Sequence, residues 1–203
     1  MRQETPYNPL DKKNLGISVA DALLARSADP MPPTESFLGA GVYAIYYLGD
    51  FPPYAPIAEK NRDDRFELPI YVGKAIPAGA RKGGLGLDAP PGTVLYGRLA
   101  EHAESIRAAD NLAIEDFRCR YLVVEDIWIP LGESLLIQQF SPLWNRVIDG
   151  YGNHDPGRGR LGQMRSPWDV LHPGRGWAMK CRASNRLEPD LLESVARHLA
   201  AVP

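Results

Sequence analysis

Apolar positions recur along this chain in two rhythms, and the switches between them divide it into elements. Leu15, Val19, Ala22 and Leu23 fall at helical spacing, which predicts one helix behind an N-terminal arm, stopped by Pro30, Pro32 and Pro33. From Gly41 to Leu48 the period shortens to that of a strand. Val42, Ala44, Tyr46 and Leu48 share one face, and Tyr43, Ile45 and Tyr47 share the other. The stretch 50–68 is rich in proline and charge and reads as a long excursion rather than a tight hairpin. A second strand covers Pro69 to Ala75, followed by a glycine- and proline-rich loop over 76–92 that contains Arg81 and Lys82. The helical period then returns, with Thr93 as the expected cap of a helix reaching Ala109 and Leu95, Leu99 and Ile106 as its buried stripe. Phe117 to Glu125 alternates as a third strand, and Leu131 to Phe140 reads as a helix ending before Pro142. Trp144 to Glu188 carries no clear period, and Leu191, Leu192, Val195 and Leu199 mark a last amphipathic helix.

The order strand, strand, helix, strand, helix predicts an α/β (α+β) fold with a small central antiparallel sheet flanked by helices. The chain reads as one domain over 1–203, with an arm and helix at 1–37, a core at 38–146, and a basic loop region with a closing helix at 147–203. There are no internal repeats.

Composition narrows the class. At 203 residues the chain supports one sizeable core, and its 44% hydrophobic and 24% charged shares are those of an ordinary globular protein. Cys119 and Cys181 form neither a disulfide framework nor a zinc spacing, which points to a reducing cytoplasm. No apolar run is long enough for a bilayer, and no secretory leader pattern opens the sequence, so no membrane partner is expected. The net charge of −2 does not advertise nucleic acid, yet residues 150–187 carry a local excess of +5, which includes Arg158, Arg160 and Arg165. Phosphate contact depends on such local charge rather than on the average.

Some polar residues stand where polar residues are unusual. Tyr43 and Tyr71 each lie beside a glycine, in Gly41-Val42-Tyr43 and Tyr71-Val72-Gly73, on strands whose side chains are free to meet on one sheet face. Arg98 and His102 are four apart and therefore leave their helix on one side. Glu133 sits on the stripe of Leu136, Ile137 and Phe140, where a carboxylate needs a partner. Singly, each has a plainer account: packing tyrosines, a first-turn glutamate favoured by the helix dipole, a core histidine.

Taken in order, with Asn145 after Pro142-Leu143-Trp144, the set resembles the catalytic signature of the GIY-YIG nucleases, with Val in place of Ile in both strings. The resemblance covers about 38–146. It implies hydrolysis of DNA phosphodiesters with Mg²⁺ as cofactor, Glu133 as the sole protein ligand of the metal, and Asn145 as a candidate for the metal's water or the phosphate. A phenol, with a pKa of about 10, needs a cation or a proton acceptor beside it to act as a base. Tyr43 is then the expected base with His102 as its relay, Tyr71 positions water or phosphate, and Arg98 and Lys74 supply cations.

The chain shows no helix-hairpin-helix partner, no zinc cluster and no appended DNA-binding module, an organisation that resembles the type II restriction branch. The segments GVYAIYYLG, PIYVGKA, LYGRLAEHAESI and GESLLIQQFSPLWN are similar to the subgroup that reads CCGCGG. A palindrome implies a homodimer on double-stranded DNA, with a cognate DNA methyltransferase as a genetic rather than physical partner. Lys74, Arg81, Lys82, Arg158, Arg160 and Arg165 are the expected DNA contacts. A repair or mobile-element endonuclease that nicks DNA, and a DNA-binding module that no longer cleaves, are the competing expectations.

Overall fold

The computed structural model describes residues 8–77, 92–155, 157 and 162–202. At its centre, strand β2 (Gly41–Tyr47) lies between β3 (Tyr71–Ala75) and β4 (Phe117–Val123), antiparallel to both. A two-residue strand β1 (Asp29–Pro30), too short to leave a periodic trace in the sequence, pairs with the outer side of β4.

Every residue of β2 is buried, because helices cover both faces of the sheet. On one face Val42, Ala44 and Tyr46 pack with helices α1 (Lys12–Leu24) and α4 (Ile129–Phe140). On the other, Tyr43, Ile45 and Tyr47 share a larger core with α2 (Ala55–Asn61), α3 (Val94–Arg107), α5 (Leu143–Arg146), α6 (Pro167–Leu171) and α7 (Glu188–Ala201). This is the expected sheet-and-helix class.

Details differ from the periodic reading. In α1 the buried positions are Gly16, Ala20 and Leu23, and Ala22 is exposed. The reason is close helix–helix approach. A Cβ on Gly16 would touch Leu131 and Leu135 at 3.4 Å, and one on Gly132 would stand 2.5 Å from Val19 Cγ1. Small residues, not the largest apolar ones, set this seam. The excursion 50–68 contains α2, which its prolines had disguised. Pro52 and Pro53 open a 3₁₀ turn and Pro56 sits in the first turn of α2, where no N–H is needed. The buried Asn61 amide ends it, donating to Tyr47 O and Leu68 O at 3.0 and 2.9 Å and accepting from Leu68 N at 2.9 Å. Thr93 precedes α3 but makes no capping hydrogen bond. Among the described residues, no helix is long and apolar enough to cross a membrane.

The stretch that reads as irregular is firmly packed. Trp144, Tyr151, Trp168 and Leu171 join the larger core, and Arg175, only 3% exposed, is held by Asp169 Oδ1 at 2.7 Å and stacks between Trp168 and Trp177. A buried guanidinium is tolerated because it is paired and its remaining N–H groups reach the carbonyls of Gly150, Tyr151 and Asn153.

Candidate active site

The antiparallel register sets Tyr43 opposite Gly73. A Cβ on Gly73 would lie 2.3 Å from the Tyr43 hydroxyl oxygen, so the phenol lies directly over the backbone of β3 and requires glycine there. Gly41 answers a similar need on the other side, since a Cβ there would stand 1.9 Å from Leu122 O. Close approach explains the glycine in each of the two tyrosine strings.

Helix α3 brings His102 to the same phenol. Tyr43 Oη lies 2.6 Å from His102 Nε2, and each residue is 1% exposed. Burial, reinforced by the nearby Tyr71 hydroxyl, raises the Tyr43 pKa well above the ordinary phenol value. Burial, with the positive charge of Arg98 next in weight, pushes His102 well below the ordinary imidazole value. His102 is therefore neutral through the physiological range, and a phenol donating to its Nε2 is the consistent protonation state. Tyr71, half-buried, has its ring centroid 6.2 Å from that of Tyr43, and its pKa is raised mainly by burial.

Arg98 leaves α3 one turn before His102 and lies between the phenols and solvent, with 21% of its side chain exposed. Its Nη1 donates to Glu101 Oε2 at 3.0 Å and meets His154 Nε2, while Nη2 donates to Gly152 O at 2.9 Å. Its charge lowers the proton affinity of both phenols against the larger effect of burial. The guanidinium is thus aimed by Glu101, His154 and Gly152, and it also hydrogen-bonds the two phenols.

Glu133 approaches from the other side of the sheet edge. Lys74 pairs in register with Val42 and so faces α4, where its Nζ lies 2.6 Å from Glu133 Oε2. The Glu133 charge raises the pKa of both Tyr43 and Tyr71, so all three groups share one electrostatic environment across the narrow edge strand. The Glu133 side chain is 18% exposed and that of Lys74 is 34% exposed. Among the described residues no group of three His, Cys, Asp or Glu gathers as a metal cage.

Asn145 has a different position from the one expected. Its Oδ1 accepts from Val72 N and its Nδ2 donates to Val72 O, both at 2.8 Å. The side chain acts as an added strand on the open edge of β3, and it fixes the backbone between Tyr71 and Gly73 rather than presenting a free amide to water or phosphate. Arg165 is also engaged within the chain, donating to Ala178 O at 3.2 Å and to Met179 O at 3.5 Å. Arg81, Lys82, Arg158 and Arg160 lie outside the described residues.

The segment after α5 adds groups that the motif does not contain. Tyr151 stacks on His102 with ring centroids 4.5 Å apart and 13° between planes, and its hydroxyl donates to His102 O at 3.1 Å. A Cβ on Gly152 would come within 3.1 Å of both Tyr71 Oη and Arg98 Nη2. The Arg175 clamp on the carbonyls of 150, 151 and 153 holds this loop against the site. Outside it opens a cleft of about 690 Å³, lined by Lys74, Arg98, Glu101, Gly152 and His154 among others. Only Gly150-Tyr151-Gly152-Asn153-His154 in the sequence hinted at this loop, a polar turn without a periodic signal.

A second tyrosine–histidine pair sets the first in relief. Tyr54 Oη lies 2.6 Å from His172 Nε2, while Trp144 Nε1 donates to Tyr54 Oη at 3.0 Å and Asn111 Oδ1 accepts from His172 Nδ1 at 2.9 Å. Here both partners are 0% exposed, and this pair is a structural element of the core. The Tyr43–His102 pair instead has Arg98, Tyr71 and the cleft next to it.

The family model described as the Eco29kI GIY-YIG domain matches residues 35–199, most of the chain, including β2 to β4, the cleft and the segment after α5. No curated protein matches the chain. With a family match of this extent laid over an antiparallel sheet whose two tyrosines meet an arginine and a histidine from one helix, the chain belongs to the Eco29kI GIY-YIG domain family and is a nuclease acting on DNA.

Proposed function

We propose that this nuclease is a type II restriction endonuclease that hydrolyses double-stranded DNA at a short GC-rich palindrome, CCGCGG, as a homodimer with Mg²⁺. The observation that carries this reading is the meeting of Tyr43, Tyr71 and His102 with Arg98, which itself lines the cleft, and with Glu133 across the edge strand. The site preference and the dimer rest on the likeness of the core segments to the CCGCGG-reading subgroup. With the same basis, a cytosine-modifying methyltransferase is its genetic partner and the cytoplasm its location.

The donor set fits a hard divalent ion. Glu133 offers a single, partly exposed carboxylate that already holds a cation's place for Lys74, and Mg²⁺ commonly takes one or two carboxylates and completes its shell with water and phosphate. A cage-forming ion such as zinc is not suited, for want of further ligands among the described residues. The chemistry that a bound Mg²⁺ supplies is neutralisation of charge on the phosphate and on the leaving oxygen.

The chain's own groups handle the proton and the phosphate. Tyr71, the phenol that is not fully buried, orients the attacking water at the cleft. Tyr43 takes the proton and passes its own to His102 Nε2 over 2.6 Å. An isolated imidazolium is disfavoured there by burial and by Arg98, but an incoming phosphate offsets the arginine's charge and raises the proton affinity of His102. Arg98, partly exposed in the lining of the cleft, grips the non-bridging oxygens as charge builds. Asn145 keeps Tyr71 and Gly73 in register. Bases of a G·C-only site are read in the major groove, with Arg81, Lys82, Arg158 and Arg160 as proposed readers and Lys74 as a backbone contact.

The test is digestion of plasmid DNA with Mg²⁺ and sequencing of the ends. Discrete fragments with 5′-phosphate ends at one palindrome support the proposal. Nicks scattered over unrelated or branched DNA point to a repair or mobile-element nuclease, and binding without cutting points to a non-cleaving module.

A further inference from the structure

The Lys74–Glu133 contact stands apart from the exposed ion pairs of the surface by its screening and its place beside the cleft. Its 2.6 Å separation is that of a charge-assisted hydrogen bond. The strand register forces it, since Lys74 sits opposite Val42 and must face α4, where Glu133 lies in the second turn of the helix beside the buried Gly132. Both side chains are partly screened from solvent, at 34% and 18% exposure. Lys74 also lines the cleft with Arg98 and His154, so its ammonium has a second place to go along a flexible four-carbon stem.

We propose that Lys74 is the resident counter-ion of Glu133, and that a divalent cation binds this carboxylate by exchanging with the lysine ammonium rather than by adding to a free site. The inference rests on Glu133 being the metal ligand. An ammonium at hydrogen-bond distance from a carboxylate oxygen occupies the volume that a metal ion needs, and the two positive charges repel if both remain. Once displaced, the ammonium turns into the cleft, towards the position assigned to the scissile phosphate. Loading of the metal and arming of a phosphate contact are then one event.

Exchange has a counter-intuitive consequence: deleting the lysine ammonium tightens metal binding, because the competing cation is gone. The experiment is a Mn²⁺ titration of the full chain without DNA, with free Mn²⁺ followed by electron paramagnetic resonance. It compares wild type, Lys74→Met, Glu133→Gln and the double variant, each checked for folding by circular dichroism. The expected result is a Lys74→Met protein that binds Mn²⁺ at least fivefold more tightly than wild type, with this binding lost in both variants that lack the glutamate carboxylate. A Lys74→Met affinity equal to or weaker than wild type, whether both bind or neither does, overturns the exchange. Mn²⁺ binding that survives Glu133→Gln unchanged overturns the metal-ligand reading itself and the exchange with it. Loss in Glu133→Gln with no gain in Lys74→Met leaves the metal reading standing and rejects only the exchange.

Discussion

A Cβ on Gly73 would stand 2.3 Å from the hydroxyl oxygen of Tyr43 and 2.5 Å from its Cζ. The glycine of one string is thus the seat of the tyrosine of the other, which explains why the two strings work as a pair. Gly73→Ala must push the phenol off His102 or displace β3. The expected outcome is a folded protein destabilised by about 1–3 kcal/mol, with cleavage reduced far more than stability. Thermal unfolding and initial cleavage rates on the same preparation check this, and an unimpaired rate would show that the close approach has no catalytic consequence.

Glu133→Ala is expected to slow cleavage by about a hundredfold or more while DNA affinity, read by fluorescence anisotropy at fixed salt, stays close to wild type. The variant removes a carboxylate held by Lys74 rather than a group that would meet the DNA. A parallel fall in binding would assign Glu133 to the DNA surface instead.

His154 is exposed and touches Arg98 Nη1, beside Glu101. It acts as a positioning residue for the guanidinium. His154→Ala should lower the cleavage rate several-fold at nearly constant DNA affinity, and His154→Gln, whose amide oxygen also accepts a hydrogen bond, should restore most of it. Equal loss in both variants would mean that the imidazole does something other than aim Arg98.

Two buried neutral histidines make stability sensitive to acid. His102 is pushed well below its ordinary value, and burial with the charge of Arg175 carries His172 down to about 3. A histidine whose folded pKa is lowered takes up its proton more readily when unfolded. Its contribution is therefore intact above about pH 6.5 and declines as pH falls below it, by up to about 1.4 kcal/mol per pH unit for each group. For His172 the decline runs on to about pH 3. Urea unfolding at pH 7 and pH 5 should show a clear loss in wild type and a smaller one in His172→Gln. An identical pH dependence in the two proteins would contradict the buried neutral state.

Much of this architecture was legible before any coordinates. The strand spans of Tyr43 and Tyr71, the shared helix face of Arg98 and His102, and the placement of Glu133 on an apolar stripe all follow from local period, which is set by backbone geometry. What stayed hidden depends on long-range partners. Asn145 reads as a free polar side chain until β3 is known to be an edge strand whose Val72 N–H and C=O bond to its amide. The packing of α1 through Gly16 and Val19 depends on Leu131, Leu135 and Gly132 of the facing α4, which lie far away in the sequence. Tyr151 and Arg175 belong to a stretch without periodicity, where burial comes from ring stacking and a paired guanidinium rather than from an amphipathic pattern. Local rhythm carries no information about such contacts.

The Tyr43–His102 proton relay is most directly tested by single-turnover cleavage of a duplex that carries the site found by end sequencing, with wild type and Tyr43→Phe compared at saturating enzyme and matched affinity. Loss of the hydroxyl removes the 2.6 Å contact with His102 Nε2 but keeps the ring in the core. The account predicts a rate lower by about a hundredfold or more with DNA binding unchanged. A Tyr43→Phe enzyme that cuts at close to the wild-type rate would contradict it.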